Sequence, residues 1–82
     1  MGRQQDIFEY LEGYIEASLM SQNTKKSLRN LVAQAKQKFE QAETDFNRCN
    51  ALKWLSKDLK NCNNGYWLTV SPRLNKEIAT YG

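Results

Sequence analysis

KKSLRNLVAQAKQKFEQAETDFNRCNALKWLSKDLKN, residues 25–61, contains neither Gly nor Pro. Within it Leu28, Val32, Ala35, Phe39, Ala42, Phe46 and Cys49 alternate spacings of four and three, the heptad pattern of a helix that meets another helix along a seam. Small residues (Ala35, Ala42) hold one seam position and large ones (Val32, Phe39, Phe46) the other, so a facing helix could approach at the alanines and receive the rings. After Cys49 the spacing changes. Leu52 and Leu55 follow at threes before Leu59 returns at four, which rotates the apolar stripe around the axis. The stretch is therefore expected to form one long helix over about 25–61, kinked or broken near Asn50, where Asn50 could cap a shorter helix from Ala51.

On the N-terminal side Ile7, Phe8, Leu11, Ile15 and Leu19 recur at helical spacing and predict a helix over about 4–20. Asp6, Glu9, Glu12 and Glu16 form an acidic stripe on another face, and Gly13 is a weak point in mid-helix. Ser21, Gln22, Asn23 and Thr24 form a polar break, in which Asn23 or Thr24 could cap the next helix.

On the C-terminal side Asn63, Asn64 and Gly65 read as a stop. Tyr66 to Val70 is aromatic and β-branched with alternating sides, which predicts a short strand over about 66–70. Ser71-Pro72 reads as a helix opening, with Leu74, Ile78 and Tyr81 on one face of a last helix over about 72–80. The competing reading makes Glu77 to Tyr81 a second strand of a β-hairpin. The expected fold is mainly α, a single domain over 1–82: a helical hairpin with one long heptad-bearing helix, a short extended segment and a short C-terminal helix.

Length and composition bound what such a chain can do. A domain of 82 residues buries only about 60% of its unfolded surface, so the core is thin. With 40% hydrophobic and 26% charged residues the composition is globular. No apolar run approaches the ~18 residues of a membrane span, and the first residues lack the pattern of a secretory leader. Gly2 follows Met1, but Asp6 stands where a myristoylation signal needs Ser or Thr. A cytoplasmic protein that does not engage a membrane is expected.

The chain has no His and two cysteines, Cys49 and Cys62. Thirteen residues along one helix would hold these about 20 Å apart, beyond disulfide reach, so both are expected to be free thiols. Without His, the commonest general base and the usual mixed zinc site are both missing. The four glycines, Gly2, Gly13, Gly65 and Gly82, form no phosphate-binding loop. Carboxylates along one exposed helix do not face each other across a cleft. No catalytic residue, metal or cofactor is assigned, and a non-enzymatic role is expected.

Charge is uneven. Through Met20 the chain is net negative by three, from Ser21 to Cys62 net positive by five, and beyond that positive by one, giving +3. Folding helix 1 back would bring Glu9, Glu12 and Glu16 towards Lys25, Lys26 and Arg29.

Three binding readings follow. Trp54, Tyr66, Trp67 and Arg73 are candidates for contact with a protein partner, because Trp, Tyr and Arg concentrate binding energy at interfaces. Lys53, Lys57 and Lys60, sharing a helix face beside Trp54, with Arg73 and Lys76 following, are candidates for contact with nucleic acid. A solvated helix face carries lysines in the same way, and no helix-turn-helix, zinc-finger or RNA-recognition signature is present. The seam itself, Leu28 to Cys49, could pair with an antiparallel second copy, setting Lys36 against Glu43 and Lys38 against Asp45. Helix 1 of the same chain could fill the seam instead. The expected function is a binding protein, a small inhibitor or regulator of the kind phages and mobile elements carry, that occludes a macromolecular partner. A small DNA- or RNA-binding regulator is the second reading.

Overall fold

A computed structural model describes residues 6–82, all of whose regular structure is helical: α1 (Ile7–Ala17), α2 (Gln22–Gln41), α3 (Asp45–Cys62) and α4 (Asn64–Tyr81). The first turn expected from residue 4, and the reading of Gly2, lie outside the described residues.

Each helix opens on a residue whose side chain accepts a hydrogen bond from a first-turn amide that would otherwise lack a partner. Asp6 accepts from Phe8 N at 2.7 Å, Ser21 from Thr24 N at 3.2 Å, Thr44 from Asn47 N at 3.1 Å and Asn63 from Tyr66 N at 2.9 Å. Ser21 thus opens α2, and Asn23 and Thr24, the expected caps, lie inside it.

The expected long helix is two helices, divided at Ala42 to Thr44. Asn50 lies within α3. Ala42 and Thr44 are extended, with ψ of 135° and 156°. The local chemistry supports this division. Thr44 caps, Asp45 places a carboxylate at the positive end of the helix dipole, and Arg48 reaches back with Nη2 to the Ala42 carbonyl at 3.2 Å and Nη1 to Asp45 at 2.9 Å.

The break dismantles the heptad seam. Leu28, Val32 and Ala35 are buried, and Phe39 is half-buried between the rings of Phe8 and Tyr81, at centroid distances of 5.3 and 5.4 Å. Ala42 lies in the link, Phe46 is 72% exposed, and Cys49 belongs to another helix, its thiol directed at the Ile78 carbonyl. The continuous surface on which the antiparallel homodimer rested is therefore absent. Helices of the same chain cover what remains of it.

Tyr66 to Val70 is helix, which corrects both the strand and the hairpin. Asn63 alone separates α3 from α4: its N–H donates to the Leu59 carbonyl at 2.9 Å while its side chain caps α4. With the helix opened at Asn64, Tyr66, Val70 and Leu74 recur at four and bury one face, and this burial outweighs β-propensity. Pro72 falls inside α4. Its missing amide leaves the Leu68 carbonyl without its helical donor, and the Ser71 hydroxyl approaches that oxygen at 3.5 Å.

Successive helices are antiparallel. Phe8 meets Phe39 and Glu16 meets Arg29 across α1 and α2, while Ser56 meets Trp67 and Cys49 meets Ile78 across α3 and α4. α1 and α3 each pack on both α2 and α4, so they occupy opposite corners of a four-helix arrangement. Its centre is filled by Phe8, Leu11, Ile15, Leu28, Val32, Leu52, Leu55, Leu59, Val70 and Leu74.

Candidate binding surface on α3

Helix α3 buries Leu52, Leu55 and Leu59 and turns its opposite side to solvent. That outer side carries Lys53, Lys57 and Lys60, at spacings of four and three, and Phe46 seven residues before Lys53, all exposed. Trp54 stands one position round the helix, towards α2, with 61% of its surface exposed. Among the described residues none of the three lysines lies in a salt bridge with a carboxylate. Two of them instead cover indole rings: Lys57 Nζ is 5.2 Å from the Trp54 centroid and Lys60 Nζ is 5.1 Å from that of Trp67. Such contacts are worth about 0.5–1 kcal/mol at exposed sites, enough to bias a side chain but not to lock it.

The structure separates the expected contact residues. Of Trp54, Tyr66, Trp67 and Arg73, Trp54 is the open one. Tyr66 is buried and its hydroxyl donates to the Leu11 carbonyl at 2.7 Å. Burial, and then the neighbouring Tyr10 and Glu12, pushes its phenol well above the ordinary tyrosine range. Trp67 is half-buried, its indole N–H donating to Ser56 Oγ at 2.9 Å. Arg73 pairs with Glu77 at 2.9 Å and stands over the Tyr10 ring, which places it on the α1 side of α4. Lys76, three residues on, is exposed on that same flank. The five cations proposed for nucleic acid thus fall into two groups, with Lys53, Lys57 and Lys60 together on α3 and Arg73 and Lys76 apart from them.

The acidic stripe takes part in the expected internal pairing at one point. Glu16 binds Arg29 at 2.9 Å, and Lys25 Nζ donates to the Glu16 backbone carbonyl at 3.3 Å. Lys26, Glu9 and Glu12 enter no such pair among the described residues. α1 and the lysines of α3 stand at opposite corners, whereas the basic side chains at the start of α2 lie beside the end of α1.

A groove of about 370 Å³ runs between α2 and α3, with Trp54 on its rim. Leu31, Ala35, Ala51 and Leu55 contribute apolar surface to it, and Gln34, Gln41, Asn47 and Asn50 contribute four carboxamides. Lys38 and Asp58 are its charged members. The sequence does not single out these carboxamides as contact residues, and Asn50 reads there only as a cap, because only the break at Ala42 to Thr44 folds the second half of the stretch back beside the first. Phe46 was placed in the seam for the same reason. A second hollow, of about 420 Å³, lies between α1 and α4 and is lined by Tyr14, Ala17, Met20, Gly65, Tyr66 and Thr69, among others.

Among the described residues no group of three Cys, Asp or Glu side chains is placed to hold a metal ion. Cys49 is buried and Cys62 exposed, and both are free thiols. No described helix is long and apolar enough to cross a membrane. The chain matches no family model, no curated protein and no solved structure.

Proposed function

We propose that this chain is a non-catalytic binding protein, a small inhibitor or regulator that occludes a macromolecular partner, and that it does so with the outer side of α3. The observation that carries this reading is Trp54. A tryptophan 61% exposed on a helix whose inner face is fully packed adds nothing to the core that a smaller side chain would not. Aromatic side chains in that position are the kind that supply binding energy once a partner removes them from water. Phe46, 72% exposed on the same helix, and the lysines between and beyond them, which have no carboxylate partner among the described residues, extend the surface. Tyr66, Trp67 and Arg73 support it from inside by holding α4 against α3 and α1.

Retrieval of bound material from cell lysate at low and high salt, with and without nuclease, tests the reading. The comparison is between the native chain and the double variant Phe46→Ala with Trp54→Ala. A discrete macromolecule held by the native chain and lost from the variant, with helical content and melting temperature unchanged, is the expected result. Equal retention by both would place the contact surface elsewhere on the molecule.

A further inference from the structure

Trp54 divides two surfaces of different chemistry. On one side lie Lys53 and Lys57, with Lys60 a turn further on, exposed and free of carboxylate partners among the described residues. On the other lies the groove, with the carboxamides of Gln34, Gln41, Asn47 and Asn50. From this division we infer that the partner of the α3 surface is single-stranded nucleic acid, a base stacking on Trp54 with its edge in the groove and its backbone along the lysines. The inference rests on the proposed binding role of α3 and names the partner of that surface.

Each part of the ligand meets the group suited to it. Phosphates are held by exposed ammonium groups, which release counterions on contact. An indole offers a flat apolar face to any unpaired base, and such stacking tolerates all four. Carboxamides carry a donor and an acceptor each and pair with base edges, which carry both. The groove, at about 370 Å³, has room for one base.

The groove carries one charge of each sign, Lys38 and Asp58, whereas the other side of Trp54 carries three ammonium groups, so the backbone is favoured on the lysine side; the Asp58 carboxylate can accept from an exocyclic amine of a base. Lys57, now over the Trp54 ring at 5.2 Å, is close enough to exchange the indole for a phosphate when a base takes its place. An acidic protein would satisfy the lysines equally well and its backbone amides would pair with the carboxamides; what favours a nucleic acid is a flat base for the open indole face set directly beside a row of phosphates for the lysines.

Fluorescence anisotropy of labelled oligothymidylate and of a mixed-sequence single strand, titrated with the full chain over a range of salt, tests the inference. The expected result is binding that weakens steeply with salt. Trp54→Ala should weaken it about tenfold, in keeping with the loss of one stacked base. Lys53→Gln with Lys57→Gln should weaken it and lower the salt slope by about 1.4, the value for two phosphate contacts on a single strand. Lys76→Gln, which removes one charge from the other flank, should stay within about twofold, well short of a stacking contact.

Three results would overturn it: no binding at roughly 10⁻⁴ M protein, the weak end of non-specific association; equal affinity in the Trp54→Ala chain; or polyglutamate of matched charge binding as tightly, which points to an acidic protein. A cellular partner that depends on Phe46 and Trp54 while oligonucleotides fail would remove this inference and leave the binding role of α3 standing.

Discussion

The Tyr66 hydroxyl donates a 2.7 Å hydrogen bond to the Leu11 carbonyl, fixing the start of α4 against the middle of α1. α1 is the shortest of the four helices, and among the described residues no salt bridge joins its side chains to α4, so this buried bond is a principal polar tie between the two. Tyr66→Phe keeps the ring and removes the bond. It should cost about 1 kcal/mol, read as a fall in the urea midpoint with unchanged slope. An unchanged midpoint would show that the ring alone holds α1.

The same phenol gives the fold an alkaline limit. Burial raises the pKa of Tyr66, and burial is also the first cause of smaller upward shifts at Tyr10 and Tyr81. A group with a raised pKa in the folded state binds its proton more tightly there than in the unfolded chain. Its contribution is complete below the unfolded tyrosine value of about 10 and is lost as pH rises beyond it. Melting temperature should therefore hold steady from neutrality to about pH 9 and fall above 10, as the unfolding free energy drops by up to about 1.4 kcal/mol per pH unit for each proton involved. The Tyr66→Phe chain should start lower and fall less steeply.

Much of the helical content was legible because it is written in periodicity. Ile7, Phe8, Leu11 and Ile15 define α1, and Leu28, Val32 and Ala35 define the inner face of α2, at spacings that a helix alone explains. The number of helices was not, because it is set by caps. Thr44 ends the apparent long helix although the apolar pattern continues through it, since Ala42, Phe46 and Cys49 keep heptad spacing by coincidence across a turn. Asn63 converts a β-like run into helix by supplying one acceptor at the required place. The proposed contact surface was legible in part. Trp54 and the three α3 lysines could be chosen by type and spacing, whereas the distinction between Trp54 and Trp67 depends on Ser56 and Lys60 meeting the latter across a helix pair.

Gly13 is exposed inside α1, and a Cβ built there meets no atom within 4 Å. Its φ is negative, so no left-handed geometry requires glycine. Gly13→Ala should stabilise the chain by about 0.5–1 kcal/mol by restricting the unfolded backbone. Thermal melting would check this, and a loss of stability would point to a contact made by α1 that this packing does not include.

Thr44 is the residue on which the four-helix arrangement turns. Its hydroxyl accepts from Asn47 N at 3.1 Å, and nothing else in the link can replace it, since Ala42 has no side-chain acceptor and Glu43 precedes the cap. Thr44→Ala should cost about 0.5–2 kcal/mol, whereas Thr44→Ser or Thr44→Asp should cost little because each keeps an acceptor. The alternative to the turn is the continuous helix that the heptad spacing would favour, and alanine removes the cap while raising helix propensity. The alanine chain is therefore the one in which a straight α2–α3 rod would first become populated. Separating the two helices exposes Leu52, Leu55 and Leu59, which α2 and α4 cover, and burial of each is worth about 1.5–3 kcal/mol. That cost exceeds what the cap contributes, so Thr44→Ala should melt at lower temperature but keep its compact form. Size-exclusion chromatography and small-angle scattering would check it: an elongated or dimeric species in the alanine chain would show that the cap, and not the core, holds the turn.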